Sequence, residues 1–178
     1  MSQPTIAELL AEYDRALGYS ADLHHGLNAE QISWRADENA SGIGWHLGHQ
    51  PAVAHFMVRN LTAAEPSPDA ELDGLMDSAT PESARGELPD PQRIFDYRDA
   101  VADRVRFRIG QIDEGRVGAP TQLRFIAQTL LVAVINHEYQ HDKWIGEVRS
   151  EVHGLDLPPE PTSPWLTTLD GYTVIGAA

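Results

Sequence analysis

At 178 residues the chain is long enough for one domain with a core of its own, and too short for two comfortable ones. Its 42% hydrophobic and 22% charged residues exclude wholesale disorder, and a formal net charge of -14 argues against nucleic acid, whose phosphates need a basic face. Cysteine is absent, which excludes a disulfide framework and means that any thiol in the chemistry must arrive on a substrate.

Met1-Ser2-Gln3-Pro4 lacks the basic start and apolar core of a secretory signal, and no window approaches about eighteen uninterrupted apolar residues. A cytoplasmic protein with no membrane partner is the expectation. Thr5-Ile6-Ala7-Glu8 is a capping box, and Ile6, Leu9, Leu10, Tyr13 and Leu17 carry the helix it opens towards Leu23. His24 and His25 close that helix as solvent-facing cations. Asn28 to Gln31 announces a short turn with Ile32 and Trp34. Ser41 is the expected cap of a second long helix, from about Gly42 to Leu61 or Ala64, with Pro51 expected to kink or loosen it. Residues 65 to 90 are acidic, Pro-rich connection with room for a short helix at Ala70 to Met76. Asp90-Pro91 starts a third helix, carried by Ile94, Tyr97, Val101, Val105, Ile109 and Ile112. A fourth runs from Thr121 to Val152. From about 154 the tail reads as irregular, wrapping the bundle through Trp165, Leu166 and Tyr172. With no strand pattern, four amphipathic helices make an all-α four-helix bundle and a single domain over 1–178.

The fourth helix holds Asn136-His137-Glu138-Tyr139-Gln140-His141. Leu123, Ala127, Leu130, Val134, Trp144 and Val148 repeat at threes and fours, and His137 and His141 fall in the same phase. Two imidazoles one turn apart on a buried stripe admit three readings: core histidines satisfied by Tyr13 or Tyr97, an acid-base pair, or two ligands of one metal ion. The third reading needs another ligand from a neighbouring helix, and the second helix offers His46, His49 and His55. Glu138 stands directly after the first histidine, as in zinc proteases, but points off the seam.

Trp45-His46-Leu47-Gly48-His49, followed some ninety residues later by His137-Glu138-Tyr139-Gln140-His141, resembles the DinB-like family of metal-binding four-helix bundles. The resemblance spans roughly residues 5 to 155. It implies a divalent metal, zinc, nickel or iron, on His49, His137 and His141, with His46 the runner-up for the third ligand and His55 and His153 left as surface residues. It also implies chemistry on small-molecule thiols such as mycothiol, bacillithiol or glutathione. In that reading the protein is a thiol-dependent S-transferase or isomerase acting on an electrophile, and a homodimer. The alternative is a non-catalytic module that binds or senses a metal or small ligand. The related sulfoxide synthases carry a Glu two residues after the last histidine, where this chain has Lys143, and need a second domain. Asp142 is then the nearest acidic neighbour of His141 and at best a supporting partner for its ring, and Tyr13, Trp45, Phe56 and Tyr139 are candidate pocket walls. If His49 meets the pair, the second and fourth helices run antiparallel. The order becomes up-down-down-up, with 65–90 crossing the bundle between helices two and three.

Overall fold

The capping box forms as its residues dictate: Thr5 Oγ1 accepts from the Glu8 amide at 3.2 Å, and the Glu8 carboxylate accepts from the Thr5 amide at 2.8 Å. In the computed structural model, which describes residues 3–62 and 65–176, helix α1 (Ile6–His24) follows, burying Ile6, Leu9, Tyr13, Ala16 and Leu23. A second capping box at Asn28 opens α2 (Ala29–Ser33).

Helix α3 (Ile43–Thr62) starts one residue later than Ser41 suggests. The Gly42 carbonyl takes the first helical bonds, from the amides of Trp45 and His46, while the Ser41 hydroxyl accepts from Arg85 at 3.1 Å. Only glycine fits at 42, because a Cβ there would lie 2.6 Å from the Trp34 carbonyl oxygen. Pro51 stays inside the helix. It has no N–H for the Leu47 carbonyl, and Arg98 supplies one in its place at 2.9 Å. The alternative helix end at Ala64 lies outside the described residues.

The connection contains α4 (Ala70–Leu75) and a 3₁₀ turn, Glu82–Gly86. Asp90 caps α5 (Pro91–Asp113), and α6 (Pro120–Glu147) runs on into a π turn at Val148–Val152. The helices pack as a bundle, α3 on α5, α1 on α6 and α3 on α6. The deepest stripe of α6 is Ala127, Leu131, Ile135, Glu138, Asp142 and Ile145. The seam expected through Leu130, His137 and Trp144 is its half-buried flank, because α6 is wedged between α1 and α3 and its centre faces both.

The tail is not irregular throughout. Leu166–Leu169 (β1) and Tyr172–Ile175 (β2) pair antiparallel. Asp170 and Gly171, at φ 51° and 81°, make the two-residue turn whose backbone twist matches a hairpin. Trp165 and Leu166 pack against the core, and Ile175 is buried, its amide donating to Asn136 Oδ1 at 2.7 Å. Among the described residues no helix is long and apolar enough to cross a membrane.

Arg98, 7% exposed, pairs with the 1% exposed Glu138 at 3.2 Å. Its guanidinium also donates to Gln50 Oε1 at 2.7 Å. Replacing Arg98 by Met strands a buried carboxylate and the Leu47 carbonyl, and should cost about 3 to 5 kcal/mol in urea unfolding. The double change Arg98→Met, Glu138→Met should recover part of that loss; a single variant as stable as the parent would show that the pair is not load-sharing.

Candidate metal centre

Helix α3 delivers His46 and His49 one turn apart, and α6 delivers His137 and His141 in the same way. Ligand nitrogens of His49, His137 and His141 all lie within 4.8 Å of one another. His141 Nε2 is 3.0 Å from His137 Nε2. Two nitrogens each about 2.1 Å from one ion are roughly 3.0 to 3.4 Å apart, between octahedral and tetrahedral arrangements. The cluster is therefore able to hold a metal ion.

The partners of the other ring nitrogens set which atom faces the centre. His49 Nδ1 donates to the Met76 carbonyl at 2.6 Å, leaving Nε2 with its lone pair for the cluster. Gly48 makes this bond reachable: a Cβ there would meet Met76 Sδ at 2.6 Å. The glycine of the Trp-x-x-Gly-His motif is thus the gap through which Met76 approaches. His46 Nδ1 lies 2.8 Å from His141 Nδ1. With Nε2 of His141 turned to His137, its Nδ1 faces His46, which is placed to orient the His141 ring. Trp45 stacks on His49 at 4.5 Å and carries the Arg85 guanidinium on its ring at 4.0 Å. Trp144 presents an edge to His141.

Burial, first of all, keeps these imidazoles neutral, the form that binds metal. The pKa of His46 falls to about 3, with His49, Arg85 and His137 adding to the effect, and that of His137 to about 4, with His49 adding. His141 is pushed lower still, by burial and then by His137, His46 and His49. His49 is lowered by burial, partly offset by its bond to Met76. Three neutral nitrogen donors, two buried and one half-buried, fit a divalent transition ion.

Several expectations fail on the other faces. Neither Tyr13 nor Tyr97 satisfies a histidine; the Tyr97 hydroxyl donates to Asp73. Asp142 does not support His141. Its Oδ1 accepts from Ser20 at 2.6 Å and Gln50 at 2.9 Å, on the side of α6 turned away from the cluster. Burial lifts its pKa to about 7, Glu138 adding, and Glu138 is raised by burial against Arg98. Glu138, held by Arg98, is no general base for the centre. His55 is not a surface residue: it is 1% exposed and lies 3.4 Å from Arg104. His24 is partly buried, stacked on Phe95 at 4.5 Å. His153 lies 3.2 Å from the Gln31 carbonyl. Of the candidate pocket walls, Trp45 borders the cluster, Tyr13 is core, Phe56 lines a cavity beside His49, and Tyr139 lines a cavity elsewhere.

Two openings reach the cluster. One, about 530 Å³, is bordered by His137, His141, Trp144, Arg85, Gln140 and Asn39. The other, about 300 Å³, is bordered by His49, Val53, His55, Phe56 and Asp77. The place of Arg85 on Trp45 and in the wall of this opening was not expected from sequence; an arginine at the end of a Pro-rich connection gives no periodic signal.

The model of the DinB superfamily matches residues 12–145, a span that includes all three histidines of the cluster. A comparison with curated proteins finds no match.

Below pH 6.5 the histidines of the unfolded chain take up protons that the folded ones refuse, costing the fold up to about 1.4 kcal/mol per pH unit for each group. Six histidines are lowered in this way, His24, His46, His49, His55, His137 and His141. Asp142 and Glu138 act oppositely up to about pH 7, holding protons that the unfolded chain releases. The histidines outnumber them, so metal-free protein should lose stability as pH falls from 6.5 to about 4 in urea titrations. The triple change of His49, His137 and His141 to Ala should remove most of that dependence. Gly48→Val should displace Met76, loosen His49 and weaken metal binding about 10- to 100-fold in chelator competition; unchanged affinity would show that the Met76 carbonyl does not orient the ring.

Proposed function

The chain belongs to the DinB superfamily, and from that premise we propose that it is a metal-dependent thiol S-transferase whose ion, zinc, nickel or iron, sits on His49, His137 and His141. The observation that carries the reading is the convergence of three neutral imidazoles, His137 and His141 bordering the larger opening and His49 the smaller. When bound, the ion would supply a Lewis acid that stabilises the thiolate of a coordinated thiol, so that its proton would pass to water at neutral pH. The chain's own residues do the rest. Met76 and His46 hold the rings of His49 and His141. Asn39, Ser41 and Gln140 offer hydrogen bonds to the polar body of a small thiol in the larger groove. Ala52, Val53 and Phe56 give the smaller cavity apolar walls suited to an electrophile. With no cysteine in the chain, the nucleophile comes with the substrate.

One observation favours the second reading, a non-catalytic metal or small-ligand module. Glu138 and Asp142, the two carboxyls beside the ligand histidines in sequence, are both committed to the Arg98 layer.

The same reading takes the bundle as up-down-down-up, with 65–90 as the crossover. Its support is the run of pairings: His46 with Trp144 and His49 with His137 across α3 and α6, and Gln50 with Arg98 and His55 with Arg104 across α3 and α5. Ser20 with Asp142 and Leu23 with Arg149 do the same for α1 and α6.

Protein purified without added metal should carry about one divalent ion per chain by elemental analysis, lost in the triple alanine variant. With that ion it should accelerate attack of glutathione or a cysteinyl glucosaminyl thiol on a bimane electrophile, by about 100-fold or more over the variant. An ion without thiol-dependent turnover would favour the module. Unchanged metal content in the variant would remove the site altogether.

A further inference from the structure

We propose that the thiol entering the larger opening carries a carboxylate and that Arg85 binds it, an inference that rests on the thiol reading above and names its substrate class. Arg85 sits in the 3₁₀ turn Glu82–Gly86 and borders the opening together with His137, His141 and Trp144. Its guanidinium lies 4.0 Å from the Trp45 ring centre, and that ring is 6.2 Å from the ring of His141. One small molecule can therefore reach from the histidine cluster to the cation.

The Arg85 side chain is 9% exposed. Nε donates to the Thr80 carbonyl at 2.9 Å, Nη1 to the Ser41 hydroxyl at 3.1 Å and Nη2 to the Ser78 carbonyl at 3.0 Å. These bonds tie the turn to the start of α3, but they take one N–H from each nitrogen of a group that has five. Each terminal nitrogen keeps one more, which matches the two oxygens of a carboxylate. All three acceptors are neutral. The nearest carboxylate, Glu82, is 3.7 Å from Nη2 on a side chain 54% exposed. That is beyond hydrogen-bond length, and solvent screens such a pair. A buried cation without a close anion is costly, and the face of Trp45 offsets only part of the cost.

The surroundings select a single negative charge. Glu82 is the one carboxylate bordering the opening; Asn39, Ser41, Ser78 and Gln140 are uncharged. Against a net charge of -14, this is where an anionic substrate finds a positive charge close to the cluster. The smaller opening has Asp73 and Asp77 on its wall, and its Arg59 already lies over the Phe56 ring, so the acid belongs in the larger one. A phosphate would bring up to about two charges beside Glu82, and a carboxylate brings one.

The probe is 2-mercaptopropionylglycine, set beside its terminal amide, which keeps the thiol and the length and removes the charge. Calorimetric titration into the full chain loaded with zinc should show the acid binding about tenfold or more tighter than the amide. Arg85→Gln should abolish that preference, and Arg85→Lys should retain part of it. Glu82→Gln, on an exposed side chain, should tighten the acid about threefold and leave the amide unchanged. It reads the same interaction should the Arg85 variants fold poorly. If Arg85 serves only to hold the turn, acid and amide bind alike. Equal affinities in the parent, or a preference for the acid that survives Arg85→Gln in folded protein, would overturn the proposal. Equal binding of both probes removes this inference and leaves the metal-bound thiol standing; binding of neither removes the thiol reading and this one with it.

Discussion

One guanidinium joins the helices. Arg98, projecting from α5, donates to the Leu47 carbonyl and Gln50 on α3 and to Glu138 on α6. Gln50 passes the connection on to the Glu138 carbonyl and to Asp142, and Ser20 closes it from α1. Apolar contact is non-directional and tolerates sliding of one helix past another. This layer does not: a shift of one turn would leave a buried charge and several polar atoms without partners, at a cost of several kcal/mol. All four long helices thus share one register.

That register is what aims the histidines. His137 and His141 each precede, by one residue, a carboxyl of the buried layer. Successive helical residues point about 100° apart. Holding Glu138 and Asp142 against Arg98, Gln50 and Ser20 therefore turns the two imidazoles to the adjoining flank, where α3 brings His49. Pro51 belongs to the same arrangement. By failing to satisfy Leu47, it leaves an acceptor for Arg98 two residues before His49. The polar layer and the histidine cluster are two sides of the same pair of helices.

The tail gives the bundle a further surface. Its hairpin is pinned by Ile175 and the Asn136 side chain, and Leu157 lies against Gly146. Tyr19, Tyr139 and Asp142 border the cavity that the tail leaves over α1 and α6.

Local signals were readable from the residues themselves. The capping boxes at Thr5 and Asn28, Asp90-Pro91 and the apolar spacings depend on neighbours within about four positions, and the helices follow them closely. Asp170-Gly171 between Leu-Thr-Thr-Leu and Tyr-Thr-Val-Ile is an equally local hairpin signal, overlooked beside the Pro-rich stretch before it. The histidine pair on α6 and His49 were legible from motif and phase. Their environment was not. Burial of His55, the turn of Asp142 away from His141, the support of His141 by His46 and the Leu47–Arg98 bond all join residues dozens of positions apart. Sequence thus determined which helices form and which imidazoles could meet; only the packing of α6 between α1 and α3 decided which of its faces carries the carboxyls and which the clustered histidines, because that choice is made by partners on other helices.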